Sequence, residues 1–338
     1  MWLASHAHSP LRSAIPATTL LEETTPPMND SALITVGLPI ALAIIMFGLG
    51  LSLTVDDFRR VATSPRAVVV ALVLQILVLP AVAFGLVLAF DLDPLLAVGV
   101  MLLAASPGGT TANLLSHLFR GDVALNITLT AINSVLAAVT IPVITNLAIG
   151  YFDADGTLGL QFGKVVQVIA IVIIPVILGM IVRSRRPAMA ERADRPVRIF
   201  SIAVLVIVAV GAIIGERENV LDYLYSVGAV TGLFCLASLA LGYWVSRLLR
   251  LDRPQSIAAS MEIGVHNTTM ALTIALSVLG SVEVAIPAAV YSILMYILAP
   301  AFGFTISRGH GGFSASSGHG GHSGPAAIRG AGPAEKRR

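Results

Sequence analysis

The chain has 338 residues, of which 56% are hydrophobic and only 12% are charged, and its formal net charge is +2. Such a composition leaves too little polar surface to coat a soluble domain of this length, so a soluble globular protein is excluded. A nucleic-acid partner is also excluded, because the basic residues are distributed among separate loops. The single cysteine, Cys235, excludes a disulfide framework and a cysteine metal site.

Apolar segments of roughly 20 residues, long enough to cross a bilayer, recur along most of the chain. They predict an all-α polytopic membrane protein with nine transmembrane helices, whose partner is the lipid bilayer. Nothing in the pattern requires more than a monomer. The predicted spans are 33–54, 67–90, 94–119, 122–149, 161–183, 197–215, 223–247, 255–280 and 284–306.

Loop charges predict the orientation of the chain. Arginines gather in the loops after the first, third, fifth and seventh spans, as is typical of cytoplasmic loops. The alternate loops carry mainly acidic residues and should face outward. We therefore expect a multi-pass protein of the plasma membrane with its N-terminus outside and its C-terminus in the cytoplasm. The arginines are Arg59, Arg60, Arg66, Arg120, Arg183, Arg185, Arg186, Arg192, Arg195, Arg198, Arg247, Arg250 and Arg253.

Two polar segments flank the predicted transmembrane domain at 32–307. Residues 1–31 are irregular and are expected to be disordered, and Met28 is a candidate for the true start. Residues 308–338 are rich in Gly, Ser and His and have few large apolar side chains. Such a segment buries too little surface to offset its ordering entropy, which predicts a disordered cytoplasmic tail. Its irregularly spaced histidines do not predict a structural metal site.

Polar residues interrupt two of the predicted spans at membrane depth. The third span contains Ser106-Pro107-Gly108-Gly109-Thr110-Thr111-Ala112-Asn113, and the eighth contains Glu262-Ile263-Gly264-Val265-His266-Asn267-Thr268-Thr269. Proline removes a backbone donor, and freed carbonyls are tolerated in a membrane only where protein or a water-filled cavity satisfies them. Paired discontinuous helices are typical of transporters built on an inverted repeat. For the first break, a simple kink or a small-residue packing surface is the alternative.

Glu262 is an ionisable carboxylate near the bilayer centre, which costs several kcal/mol unless it is paired or hydrated. No lysine or arginine lies within the predicted depth of any span, so its partner should be a bound cation or a proton. A permanently protonated, hydrogen-bonded glutamic acid is the alternative. Hard cations such as sodium prefer oxygen ligands. The oxygens on offer nearby belong to Asn113, Asn126 and Thr130 and to carbonyls freed at the breaks.

The fourth span carries Asn126, Thr130 and Asn133 at helical spacing, so they share one face, which should point inward. Interhelical hydrogen bonding without any ligand would also explain this face, and for Asn133 or Ser134 alone we favour that explanation. Gln75, an isolated glutamine in the second span, is a weaker signal.

The helix N-termini that follow the two breaks should direct backbone N–H groups and the positive ends of helix dipoles into the crevice between them. A carboxylate could bind there without a lysine or an arginine. The candidate substrate residues are Thr110, Thr111, Asn267 and Thr268. On the last span, Tyr291, Ser292, Met295 and Tyr296 are weaker candidates, expected on the side of a second domain.

Residues 106–113, with Arg120-Gly121-Asp122-Val123-Ala124-Leu125 after them, resemble the bile acid:sodium symporter family. The runs Glu262–Asn267 and Ile45–Leu51 resemble it too, and the resemblance covers about 33–306. It implies a core domain with two crossing broken helices and a panel domain, related by an inverted repeat, in the nine-helix form of the family that lacks the first helix. It also implies a sodium-coupled symporter, not an enzyme, that carries a small organic anion by alternating access. Sodium is then the coupling ion, with no organic cofactor, and bacterial relatives carry pyruvate, pantoate and similar acids.

Residue by residue, the resemblance implies a first sodium site at Asn113, Asn126, Thr130 and Glu262. It implies a second at Gln75, Glu262, Ile263, Val265 and His266. Two positions depart from the family. Ala112 stands where a serine is common, and His266 stands where a glutamine is common. An imidazole is a poor sodium ligand that can become cationic as the pH falls. We therefore expect uptake to weaken at acidic pH more than in a His266→Gln variant.

Two other functions fit parts of this pattern. One is an efflux permease of related architecture, of the arsenite type or coupled to protons. The arsenite carriers rely on a cysteine in the region of the broken fourth and fifth helices, but Cys235 lies elsewhere in the sequence. An intramembrane enzyme would need a nucleophile and a base on facing spans. The available pair is His266 with Ser106 or Ser260, and no third orienting group is evident.

Overall fold

The computed structural model describes residues 37–152, 162–193 and 220–308, together with 195–197, 199–200, 203 and 207. Within these residues the chain forms helices and one isolated β-bridge. The helices are α1 (Leu38–Ser52), α2 (Val55–Arg59), α3 (Pro65–Ala89), α4 (Pro94–Ala105), α5 (Thr110–Leu118), α6 (Val123–Phe152), α7 (Phe162–Arg185), α8 (Val220–Leu248), α9 (Arg253–Gly264), α10 (Thr268–Leu279) and α11 (Val282–Arg308).

Four of the described helices, α3, α6, α8 and α11, are long and apolar enough to cross a membrane. Shorter apolar helices are Pro39–Ser52, α4 and α10. Large apolar side chains such as Leu147 and Ile297 are more than half exposed, as expected of helices that face lipid. The chain is therefore a helical, multi-pass membrane protein. Three segments lie wholly or mostly outside the described residues: 1–31, the predicted span at 197–215, and the tail at 308–338 except its first residue. The count of nine spans therefore stays a prediction.

Both predicted interruptions are present. Helix α4 ends at Ala105 and α5 begins at Thr110, whereas α9 ends at Gly264 and α10 begins at Thr268. Ser106, which precedes the proline, has an extended backbone (φ −72°, ψ 145°), as the proline ring requires of its predecessor. The third and the eighth predicted spans thus each consist of two half-helices joined by a short non-helical segment.

The helices fall into two packing groups. Helix α1 packs closely on α7, and the two backbones approach at Gly50 and Gly179, where an added Cβ would meet the backbone of the other helix. Helix α11 packs against α4, α8 and α10. The expectation that the last-span residues lie on the side of a second domain is therefore wrong: Tyr291, Ser292 and Met295 are buried within the group that contains the breaks, and Tyr296 is half-exposed on the same helix.

A π-helical turn interrupts α3 at Leu74–Val78. Gln75 lies in this turn, its side chain is buried, and its Nε2 donates to the carbonyl oxygens of Ser106 (3.0 Å) and Ala104 (3.4 Å). Such π-turns occur frequently at functional sites. This one brings the isolated glutamine of the second span to the C-terminal end of α4, beside the first break.

Candidate functional site

The two unwound segments pair with each other. Gly108 and His266 form an antiparallel β-bridge. The Gly109 N–H donates to the Val265 carbonyl and the Asn267 N–H donates to the Pro107 carbonyl, each with an N···O distance of 2.8 Å. Backbone groups without partners are costly at membrane depth. Each break therefore supplies the partners that the other break lacks.

Glu262 lies in the last turn of α9, just before the second break, and is fully buried. Its carboxylate accepts hydrogen bonds from Asn126 Nδ2 at 2.7 Å and from Asn133 Nδ2 at 3.1 Å. Thr130 Oγ1 lies 2.6 Å from the same carboxylate and 3.0 Å from the Asn126 carbonyl oxygen. The polar face of α6 thus converges on one carboxylate, because residues at this spacing share one side of a helix.

Gly108 is fitted to Glu262. A Cβ added at Gly108 would overlap the carboxylate of Glu262. At Gly109 the atom nearest to an added Cβ is the carbonyl oxygen of His266, at 3.4 Å, which is close to ordinary contact. The first of the two glycines is therefore required by the close approach of the carboxylate, and the second is not.

No basic side chain among the described residues pairs with Glu262. The ion pairs found there join Arg59 to Asp56 and Arg183 to Glu191, away from the breaks. The described residues also contain no group of three or more His, Cys, Asp or Glu side chains that could hold a metal ion. A buried carboxylate with neutral neighbours needs a proton or a mobile cation to offset its charge.

Several amide oxygens near the breaks are buried and have no hydrogen-bond partner among the described residues. The amide nitrogens of Asn126 and Asn133 are turned to Glu262, which leaves the Oδ1 atom of each without a partner. Buried acceptors of this kind are rare in folded proteins and call for a guest that lies against them. Oxygen atoms are the ligands that hard cations prefer. The unpartnered oxygens are Gln75 Oε1, Asn113 Oδ1, Asn126 Oδ1 and Asn133 Oδ1.

His266 is buried in the second break, and its tautomer follows from its partner. The Tyr291 hydroxyl donates to the Gly264 carbonyl over 2.9 Å, so its oxygen accepts the 3.1 Å hydrogen bond with His266 Nδ1. Nδ1 therefore carries the proton, and Nε2 has a free lone pair. Nε2 is buried and has no partner within the described residues. The ring of Phe234 lies 5.4 Å away, centroid to centroid.

The predicted substrate residues lie on both sides of the paired breaks. Thr110 is exposed and Thr111 is half-buried, with its Oγ1 at 3.4 Å from the Tyr296 hydroxyl. Asn267 caps α10, because its Oδ1 accepts from the Met270 N–H over 3.1 Å. The Thr268 N–H bonds to the His266 carbonyl at 3.0 Å. The first turn of α5 is thus the more accessible of the two helix starts.

The model of the sodium bile acid symporter family matches residues 39–223 of the chain, which is more than half of its 338 residues. The chain belongs to the sodium bile acid symporter family. The chain is 32% identical to the uncharacterized sodium-dependent transporter YocS of Bacillus subtilis over 254 residues, which cover 75% of the chain and 78% of YocS.

Two further relatives of the chain are eukaryotic. The probable chloroplastic sodium/metabolite cotransporter BASS1 of Arabidopsis thaliana is 30% identical over 77% of the chain, which spans 64% of that protein. The human ileal sodium/bile acid cotransporter is 26% identical over 72% of the chain and 70% of its own length. The chain thus spans a little under two thirds of the chloroplast relative. All three relatives are named as transporters or cotransporters.

Two residues contribute more to the site than their sequence signals suggested. Asn133 donates to Glu262 on α9, which is an interhelical hydrogen bond of the kind favoured for it, but one that ends on the central carboxylate. The signal was its helical spacing from Asn126 and Thr130. Ser134, by contrast, bonds back to the Thr130 carbonyl of its own helix over 2.6 Å. Tyr291 orients His266 from a different helix, and no local pattern in the sequence pointed to that contact.

Proposed function

We propose that this chain is a sodium-coupled symporter that carries a small organic anion by alternating access. The observation that carries the proposal is the environment of Glu262: a fully buried carboxylate without a basic partner among the described residues, at the place where two broken helices pair. Unpartnered amide oxygens of Asn126 and Asn133 lie on the two residues that bond to it. A sodium ion supplies the positive charge that this environment lacks.

The first proposed sodium site consists of Asn113, Asn126, Thr130 and Glu262. Asn126 and Thr130 already contact the carboxylate. Asn113 is the fourth residue of α5, which packs against α9. Its Oδ1 is buried and has no hydrogen-bond partner among the described residues. Ala112, next to it, is fully buried and offers no side-chain oxygen. All four ligand side chains offer oxygen, as sodium requires.

The second proposed sodium site consists of Gln75, Glu262 and His266 with the carbonyls of Ile263 and Val265. Support comes from the unpartnered Oε1 of Gln75 and the unpartnered Nε2 of His266. The Val265 carbonyl accepts one hydrogen bond, from Gly109, and a carbonyl oxygen has a second lone pair for an ion. Nitrogen is a weaker ligand for sodium than oxygen, so this site should bind its sodium ion less tightly than the first site does.

The substrate is proposed to bind at the starts of α5 and α10, through Thr110, Thr111, Asn267 and Thr268. The positive end of the α5 dipole lies at Thr110, which is exposed, so an anion can reach it. A carboxylate held there needs no basic side chain. Of the relatives, one is named as a cotransporter of metabolites and one of bile acids. A small carboxylate such as pyruvate or pantoate is the proposed class.

Sodium binding and anion binding are coupled because both favour the same arrangement of the two broken helices. Sodium at Glu262 would offset the charge beside the paired breaks and so hold the two half-helix starts in place, which is the arrangement that the anion binds. Each ligand then raises the affinity for the other. Movement of the α1 and α7 pair against the remaining helices would expose the site to each side in turn. The proposed orientation has the N-terminus outside and the C-terminus in the cytoplasm.

The contacts of the alternative site residues favour transport over the other functions. Ser106 Oγ bonds to the Leu103 carbonyl and Ser260 Oγ bonds to the Leu239 carbonyl, so neither hydroxyl is paired with His266 as a nucleophile would be. Cys235 Sγ lies 3.9 Å from the Gly264 carbonyl oxygen, as one buried thiol. A site for arsenite would need soft thiolate ligands, whereas the groups around Glu262 are oxygens.

The proposal is tested by uptake of radiolabelled pyruvate and pantoate into proteoliposomes under an inward sodium gradient. The wild type is compared with Glu262→Gln, which keeps the shape and removes the charge, and with Glu283→Gln as a matched control in the first turn of α11. Sodium should drive uptake in the wild type and in Glu283→Gln but not in Glu262→Gln. Equal uptake with potassium, or sodium-driven uptake that survives in Glu262→Gln, would overturn the proposal.

A further inference from the structure

A small cavity lies between α3, the first break and α6. Its volume is about 10 Å³, which accommodates one water-sized guest. Gln75, Pro107 and Asn133 are among its lining residues. The cavity is therefore bounded by the π-turn, by the unwound segment and by the polar face of α6. The remaining lining residues are Ile76, Ala105, Leu136, Thr140 and Ile144.

The two buried amides that line this cavity direct N–H groups to partners outside it. Gln75 Nε2 donates to the carbonyls of Ala104 and Ser106, and Asn133 Nδ2 donates to Glu262. The oxygen of each amide, Gln75 Oε1 and Asn133 Oδ1, is buried and has no partner within the described part of the chain. The two oxygens can only accept, so a guest that lies against both of them must be a cation or a molecule that donates.

The surrounding charge favours a cation. Helix α4 ends at Ala105, so its C-terminal carbonyls, which carry partial negative charge, lie at the cavity wall. Glu262 is one hydrogen bond away, through Asn133. No lysine or arginine lines the cavity. Oxygen ligands, a helix C-terminus and a neighbouring carboxylate together produce a negative potential in a site of low dielectric.

We propose that the second of the two proposed sodium ions, the one that Gln75 Oε1 binds, lies at this cavity and has Asn133 Oδ1 as a further direct ligand, which joins this ion to Glu262. The inference rests on the proposed sodium coupling and adds a ligand to it. Asn133 then has two functions in one side chain: its nitrogen holds the carboxylate and its oxygen binds the ion. Because the two functions use different atoms, substitutions can separate them.

The test measures the sodium concentration that half-saturates thermal stabilisation of the purified full-length protein in detergent, with potassium keeping the ionic strength constant. Asn133→Leu removes both atoms, whereas Asn133→Asp keeps an oxygen and removes the donor to Glu262. Thr145→Val is the control, because Thr145 is a buried hydroxyl on the same helix outside the cavity. Asn133→Leu should raise the half-saturating concentration about 10-fold or more, as loss of a metal-site group does.

Asn133→Asp decides the question. A direct ligand predicts that this variant keeps sodium affinity close to that of the wild type, since the oxygen remains. If Asn133→Asp is as weak as Asn133→Leu, Asn133 acts only by positioning Glu262 and the inference is overturned. Unchanged sodium affinity in Asn133→Leu also overturns it, because the cavity then holds water only. A wild type that sodium stabilises no better than potassium contradicts the proposed function itself.

A second pair keeps the test decisive if Asn133→Leu does not fold. Gln75→Leu and Gln75→Glu make the same comparison from the other side of the cavity, and the described contacts of Gln75 include no bond to Glu262. Gln75→Glu should keep sodium affinity and Gln75→Leu should lose it by about 10-fold or more. Equal affinity in the two variants would overturn the proposed ion position.

Discussion

Gly108 and His266 face each other across an antiparallel β-bridge, although they come from the two halves of the chain. The bridge joins the ends of four half-helices, and its hydrogen bonds are made by backbone atoms. Gly108 also lies against the carboxylate of Glu262, so one short extended segment contacts both the other break and the central acid. Small changes in the backbone here should therefore be transmitted directly to the proposed ion site.

Gly108→Ala should reduce sodium-driven uptake by about 10-fold or more, because displacement of catalytic or binding geometry by about 1 Å has effects of that size or larger. The added methyl group would overlap the Glu262 carboxylate, which must move away from Asn126 and Thr130. Gly109→Ala is the matched control, since its methyl group would make a contact of 3.4 Å. Initial rates in proteoliposomes check both. Equal losses in the two variants would contradict the specific fit of Gly108.

The sequence predicted the two interruptions well because proline and glycine act locally. The run Ser106–Gly109 removes a donor and disfavours helix, and the structure has α4 ending at Ala105. The amino-acid sequence could not predict that the two interruptions pair with each other, because hydrogen bonds between backbone atoms leave no pattern of side chains. The same holds for Asn133: its spacing placed it on the face of Asn126, but its contact with Glu262 depends on how α6 and α9 pack.

Thr130→Val should raise the sodium concentration that half-saturates uptake by about 10-fold, because it removes the hydroxyl that lies 2.6 Å from Glu262. Thr128→Val is a closely matched control. Thr128 is equally buried on the same helix, but its hydroxyl bonds to the Ala124 carbonyl of its own helix. Uptake measured against sodium concentration at fixed substrate separates the two. A shift of similar size in both variants would show that general packing, not the contact with Glu262, sets the affinity.

Tyr291→Phe should destabilise the protein by about 1–3 kcal/mol, the cost of leaving a buried acceptor without its donor. The hydroxyl donates to the Gly264 carbonyl at the end of α9 and holds His266 in one tautomer. Tyr296→Phe, on the same helix but half-exposed, should have little effect. Thermal unfolding in detergent checks the two variants. A stable Tyr291→Phe protein with wild-type sodium dependence would rule out a positioning role for Tyr291.

The position of Tyr291 was beyond the reach of sequence reasoning. Helix α11 is apolar along most of its length and has two internal prolines, so its pattern does not indicate which neighbours it has. Only the packing of α11 against α8 and α10 brings the Tyr291 hydroxyl to the end of α9. The family resemblance implied candidate ligand positions along the chain, but it did not indicate which side chains from other helices contact those positions.

His266→Gln should make uptake less sensitive to acidic pH than it is in the wild type. Nδ1 of His266 already carries a proton, which is donated to Tyr291, so a further proton must bind at the unpartnered Nε2. That proton makes the ring cationic at the position proposed for the second sodium ion. The titratable group that contacts the ring is Tyr291, and it is present in both proteins.

The acid effect should be competitive with sodium. Uptake is measured across acidic and neutral pH at low and at saturating sodium, for the wild type and for His266→Gln. In the wild type, saturating sodium should restore much of the uptake lost at acidic pH, because the proton and the ion exclude each other from one place. In His266→Gln the loss at low sodium should be smaller from the start. Identical pH profiles for the two proteins would show that His266 takes up no proton that matters for transport.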